Sequence, residues 1–98
     1  MAPPVTFAQQ VYDLVQQIPP GRVTTYREIG RTLGTRAYRI IGQVLHRNPF
    51  GFLDGGDVPC HRVVASDGRL VGFSHGLEKK KELLEKEGVI VENNQVKD

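Results

Sequence analysis

Ninety-eight residues with 13 Lys and Arg against 11 Asp and Glu, a net charge of +2, and 39% hydrophobic content describe an ordinary globular composition. A chain this short builds one domain, residues 1–98, with a modest core, and no apolar run approaches the roughly 18 residues that would span a bilayer. One cysteine excludes an internal disulfide, and Met1-Ala-Pro-Pro is not a secretory leader, so an intracellular location is expected, cytoplasmic (nucleoid-associated) or nuclear.

Thr6 opens a first helix, with Phe7, Val11, Leu14, Val15 and Ile18 at helical spacing and Gln9 placed to complete a capping box. Ile18-Pro19-Pro20-Gly21 stops it. Arg22 to Thr25 is a short connector that ends in a second capping signal, Thr25-x-x-Glu28. The next helix runs from Tyr26 to about Leu33, with Gly34 as its C-cap. A third helix is expected from about Arg36 to Arg47, burying Ile40, Ile41, Val44 and Leu45, and Asn48-Pro49 terminates it. Two short helices around a glycine-containing turn suit a helix-turn-helix, and they suit a plain αα-hairpin as well. Six arginines against one acid between Arg22 and Arg47 suit a phosphate backbone, or a solvated surface.

Residues 50 to 58 form a loop rich in glycine and aspartate. Val63-Val64-Ala65 and Leu70-Val71-Gly72-Phe73 read as two strands around a Ser66-Asp67-Gly68 turn. An amphipathic helix from Leu77 to Glu87, with Leu77, Leu83 and Leu84 inward, ends at Gly88. Val89-Ile90-Val91 adds a terminal strand, with Asn93-Asn94 as a turn. The fold class is α+β, mostly helical.

Pro59-Cys60-His61-Arg62-Val63 holds the only cysteine, beside a histidine. Cys60 is buried filler, a redox handle or a nucleophile; the last requires ionisation by a nearby base or cation. His61 is a candidate base, but strand neighbours point to opposite faces, so a shared site needs a turn here or a bridging water. Glu87 is placed to fold back and orient the imidazole.

Pro59-Cys60-His61-Arg62-Val63-Val64 resembles the active-site signature of the O6-alkylguanine-DNA alkyltransferases. Three further motifs match in the same order: Ile18-Pro19-x-Gly21-x-Val23-x-x-Tyr26, Arg39-Ile40-Ile41-Gly42 with Asn48-Pro49, and Gly72-Phe73-Ser74 with Gly76-Leu77 and Leu83-Leu84-x-x-Glu87-Gly88. The similarity spans roughly Phe7 to Val91. It implies a winged-helix-like helix-turn-helix domain with short strands around the active site. The implied activity is irreversible, single-turnover transfer of an alkyl group from O6 of a flipped guanine to Cys60. The implied partner is double-stranded DNA bound through its minor groove, by a monomer.

In that resemblance His61 deprotonates Cys60 through a water and Glu87 holds His61. Asn48 ties the helix-turn-helix to the active site. Arg39 fills the gap left by the extruded base. Tyr26 presses on the 3′ phosphate and supplies a proton to the departing guanine. Thr25, Arg36 and Gly42 join the DNA contacts, while Val64, Phe73 and Ser74 line the base pocket. No cofactor or metal is implied, and one cysteine with three scattered histidines makes no zinc site.

The chain departs from the family pattern in three respects. It is expected to stand without the amino-terminal domain of many members, its loop before Pro59 is longer, and His75 and Phe73 stand where glycine and tyrosine are usual. The short format also resembles the alkyltransferase-like proteins, which bind alkylated guanine without repairing it and direct it to nucleotide excision repair proteins. Those typically carry tryptophan or alanine where this chain has Cys60. A helix-turn-helix transcription factor is a third reading.

Overall fold

A computed structural model describes residues 6–48, 51, 55–73 and 75–97. Pro49, residues 50 and 52–54, and Ser74 lie outside the described residues. In chain order the elements are α1 (Phe7–Gln16), β1 (Thr24–Thr25), α2 (Tyr26–Leu33) and α3 (Tyr38–His46). A 3₁₀ turn (Cys60–Arg62) then leads into β2 (Val63–Val64), followed by α4 (Leu77–Lys86), β3 (Ile90–Glu92) and β4 (Gln95–Lys97).

The helix boundaries follow local chemistry. Thr6 Oγ1 accepts the amide of Gln9 at 3.1 Å and Thr25 Oγ1 accepts that of Glu28 at 3.0 Å. Each such cap is worth about 1 kcal/mol relative to alanine. Gly34 takes φ of 74°, a left-handed conformation that costs glycine little, and closes α2. α3 starts at Tyr38, two residues later than expected. Thr35 Oγ1 accepts the Ala37 amide at 3.1 Å and Arg36 O accepts the Tyr38 amide at 2.8 Å, which hold this stretch in a turn. Gly30 is where α2 and α3 meet closely: a Cβ there would lie 2.6 Å from the Tyr38 ring and 2.7 Å from Thr35 O.

The expected hairpin of residues 63–65 with 70–73 does not form. Val63 and Val64 pair instead in parallel with Thr24 and Thr25, in a connector that had been expected to carry no strand. Ser66-Asp67-Gly68 does reverse the chain, with Ala65 O accepting the Gly68 amide at 2.8 Å. Beyond it Arg69 makes a single bridge to Gln95. Short apolar runs carry no information about their partner, and the C-terminal hairpin supplies one. That hairpin, β3 with β4, turns on Asn93 and Asn94 at φ of 53° and 57°, the backbone sign a tight two-residue reversal requires.

Adjacent residues of β2 face opposite ways and so join two cores. Val63 packs with Val11, Val15, Ile29, Ile41 and Leu45 of the three-helix unit. Val64 packs with Leu70, Leu84, Val89 and Val91 beneath α4 and the hairpin. Two expected inward residues face out: Ile40 is 51% exposed and Leu77 38%. α1 and α2 converge on the Ile41–Leu45 face of α3, leaving Ile40 about 100° around the helix; Leu77 is the first residue of α4, before its buried face begins.

Candidate active site

The turn that Cys60 and His61 needed is present. In a 3₁₀ turn successive side chains are about 120° apart rather than opposed. Cys60, 7% exposed, therefore enters the first core, while His61 and Arg62 reach the end of α4.

His61 is 1% exposed, and its Nε2 lies 3.1 Å from both carboxylate oxygens of Glu87. Arg62, also buried, donates from Nε to Glu87 Oε1 at 2.9 Å, from Nη2 to Oε2, and from Nη1 to Ile18 O at 2.7 Å. A carboxylate receiving a guanidinium fork is ionised and only accepts, so Nε2 of His61 carries a hydrogen and donates it. Burial pushes the His61 imidazole below its ordinary value, against the Glu87 carboxylate, which favours the charged ring. Partial burial pushes Glu87 up, but hydrogen bonds from Arg62 and His61 outweigh it and leave the carboxyl below its ordinary value. A neutral, oriented imidazole beside the only thiol is a competent proton acceptor.

Two further groups, one from α2 and one from α4, meet at a single backbone carbonyl. Tyr26, the first residue of α2, donates its hydroxyl to Val71 O at 3.3 Å. Burial, aided by charge at Cys60, pushes this phenol up to about 12. Lys80 of α4 is 1% exposed and donates from Nζ to the same carbonyl at 2.8 Å. Burial pulls its ammonium down to about 8, while charge at Cys60 acts in the opposite sense.

Outside this buried cluster, a cleft of about 560 Å³ opens between α3 and the segment after Leu70. Tyr26, Arg39, Gly42, His46, Arg47 and Gly72 line it. Gly42 keeps its floor low: a Cβ there would only touch the Tyr26 ring at 4.0 Å, so the space is on the cleft side. Tyr26 belongs to both places, since it lines the cleft and packs against the core that contains Cys60.

The structure therefore joins Cys60, His61, Glu87 and Tyr26, and groups Arg39 and Gly42 with Tyr26 at the cleft. Arg36 lines a separate, smaller depression with Arg27, Arg31 and Tyr38. Thr25 serves as the α2 cap. Asn48 is buried and its backbone N–H donates to Leu45 O at 3.2 Å, closing α3. Phe73 packs against the Cys60 core, and its ring centre is 5.7 Å from that of His75. Val64 packs in the other core, and Ser74 lies outside the described residues. The long loop is tied at its ends by a bridge between Gly51 and Val58.

Sequence reasoning missed Arg62 and Lys80. Arg62 has no local signal, because its partners Ile18 and Glu87 are far along the chain. Lys80 had one: it precedes Leu84 by four residues and so shares its inward face.

Comparison with known proteins agrees across three kinds of evidence. Residues 6–89 match the model of the 6-O-methylguanine DNA methyltransferase DNA-binding domain. A methylated-DNA–protein-cysteine methyltransferase of Sulfolobus acidocaldarius is 45% identical over 86 residues, which is 88% of this chain and 52% of that protein. One from Methanosarcina barkeri is 42% identical over 89 residues, covering 90% of this chain and 51% of that protein. The chain thus spans about half the length of the curated relatives it matches. Among solved structures, Mycobacterium tuberculosis OGT in complex with DNA superposes with a TM-score of 0.76 at 35% identity, over 87% of this chain and 51% of that one. S. pombe Atl1, in complex with damaged DNA containing O6-carboxymethylguanine, gives 0.74 at 38% identity, over 88% and 79%.

Proposed function

Because the chain belongs to the 6-O-methylguanine DNA methyltransferase DNA-binding-domain family, we propose that it repairs DNA by accepting the alkyl group of O6-alkylguanine on Cys60. The observation that carries this reading is the buried relay beside the thiol: His61 held through Nε2 by Glu87, which Arg62 clamps. With Nε2 committed to the carboxylate, the proton of Cys60 passes to Nδ1, directly or through a water. The thiolate then attacks the alkyl carbon in line. The S–C bond forms as the C–O6 bond breaks, and its electron pair leaves with guanine, which takes up a proton. Tyr26 is the group proposed to deliver it, after releasing the Val71 carbonyl. The product thioether is not reversed by any group in the site, so each molecule turns over once.

The cleft supports a matching DNA role. Extruding a base costs on the order of a few kcal/mol, which inserted side chains and phosphate contacts offset. Arg39 is exposed at the cleft mouth, positioned to occupy the vacated stack in the minor groove, and Gly42 allows close approach. The Thr25 hydroxyl accepts a hydrogen bond in its cap and keeps its own hydrogen for a phosphate. Arg36 extends the basic surface. Within the proposed base pocket of Val64, Phe73 and Ser74, the position of Phe73 gives the support, through its packing against the Cys60 core. We read residues 1–98 as one DNA-binding and catalytic domain acting as a monomer inside the cell. Among the described residues no helix is long and apolar enough to cross a membrane.

The experiment is intact-mass analysis after incubation with O6-methylguanine duplex. One added methyl, mapped to Cys60, is expected. Tight binding without a mass change overturns transfer and selects a damage sensor that passes the lesion to nucleotide excision repair proteins. Similarity to Atl1, of which this chain covers 79%, is what favours that second reading.

A further inference from the structure

Lys80 is the most deeply buried cation that the relay does not employ. Its side chain is 1% exposed on α4, and among the described residues no carboxylate pairs with it. Its hydrogen-bond acceptor is the neutral carbonyl of Val71, at 2.8 Å, which the Tyr26 hydroxyl also approaches, at 3.3 Å. A buried ammonium with one neutral acceptor is costly to fold, and such groups concentrate at functional sites. Leucine or methionine at this position would fill the same space without the cost.

Resting on the alkyl-transfer reading above, we infer that Lys80 is a positioning residue for the reaction: its buried ammonium, docked on the Val71 carbonyl beside Tyr26, holds Cys60 as the thiolate. The charges around the thiol assign it this role. Tyr12 comes from α1 and Tyr26 from α2, and both are neutral phenols held protonated by burial. His61 and Arg62 share the turn with Cys60, and Glu87 binds both. The Arg62 guanidinium is thereby offset by a carboxylate, whereas the Lys80 charge is not. Negative charge at Cys60 favours the protonated form of Lys80, and that coupling is mutual, so the ammonium favours the thiolate equally. The same ammonium disfavours a charged His61, which limits how long the relay keeps the proton it has taken.

The test reads the thiol without DNA, so it stands or fails separately from alkyl transfer. Iodoacetamide labels only Cys60, the single cysteine, and its rate against pH follows the thiolate fraction. Lys80→Gln keeps a donor for the Val71 carbonyl and removes the charge; Lys80→Met removes both; Lys80→Arg keeps the charge. The inference expects the titration midpoint to rise by about one pH unit in the Gln and Met variants, a roughly tenfold loss of thiolate at neutral pH, and to be restored by Arg. An unchanged midpoint in Lys80→Gln overturns it, even if Lys80→Met shifts, because the role would then be the hydrogen bond alone. Should Lys80→Met fail to fold, the Gln and Arg pair decides. If the midpoint shifts as expected but no methyl is gained from O6-methylguanine duplex, the charge role holds and the repair reading fails.

Discussion

The turn at Cys60 and the cleft beside α3 are built on opposite principles. Around the thiol, charge is buried and, Lys80 apart, paired by contacts that reach far along the chain: Arg62 joins Ile18 to Glu87, and Glu87 holds His61. Along the cleft, Arg39 and Arg47 stand exposed, with apolar and aromatic surface between them. The first region has its polar partners before any ligand arrives; the second presents charge that a ligand must satisfy. Chemistry at a thiol needs fixed geometry, whereas a surface that meets DNA of any sequence gains from long, adaptable cations. Tyr26 is the residue that belongs to both.

If that contrast is right, damage to the two regions separates cleanly. The largest effect is expected from Glu87→Ala, which strands the buried Arg62 and His61. Breaking a buried pair costs about 3–5 kcal/mol, read as a lower denaturation midpoint, together with a loss of transfer rate of at least tenfold. A midpoint within error of the parent would show that the pairing is not structural. Arg39→Ala should behave in reverse. Stability stays within about 0.5 kcal/mol, as for other exposed positions, while single-turnover transfer from duplex substrate slows about tenfold. Equal transfer rates from duplex would remove Arg39 from base extrusion.

Acid should act more gently, and only on the buried region. His61 has a lowered value in the folded chain, so the unfolded chain takes up its proton first, near 6.5. Stability from this group is complete above that pH and is lost as pH falls towards the folded value. Glu87, also lowered, adds stability above its ordinary 4.5 that is lost as pH falls further. Urea midpoints of the parent chain should therefore fall from pH 6.5 to 4, and those of Glu87→Gln should fall more steeply between 6.5 and 5, because that variant loses the carboxylate that favours the charged ring. Parallel curves for the two would dissociate Glu87 from the effect.

How much of this was legible depended on the range of the cause. α2 could be read residue by residue, because Thr25 and Gly34 are local signals and the structure uses both. α3 was read two residues too long at its start because the Thr35 turn competes with the helix. β1 and β2 were beyond reach as a pair: two-residue strands exist only through each other, and their partners lie 39 residues apart. The same limit applies to the site. The pairing of Glu87 with His61 was expected from the place of Glu87 at the end of the last helix and from family resemblance, whereas Arg62, which secures it, is visible only when Ile18 and the end of α4 converge. Lys80 was hidden by habit rather than by range, since a lysine on a charged helix is ordinarily read as solvated.

The ladder between β1 and β2 has a consequence for chain length. Thr25 is both the cap of α2 and the partner of Val64, and β2 begins immediately after the Cys60 turn. Two rungs therefore act as a ruler that fixes the origin of the helix-turn-helix against the thiol. Extra residues before Pro59 leave the ruler unread, since Gly51 and Val58 close that loop on itself. One residue added between Cys60 and Val63 would shift it by a rung and exchange the two cores that Val63 and Val64 serve. Growth is open on one side of the cysteine and barred on the other.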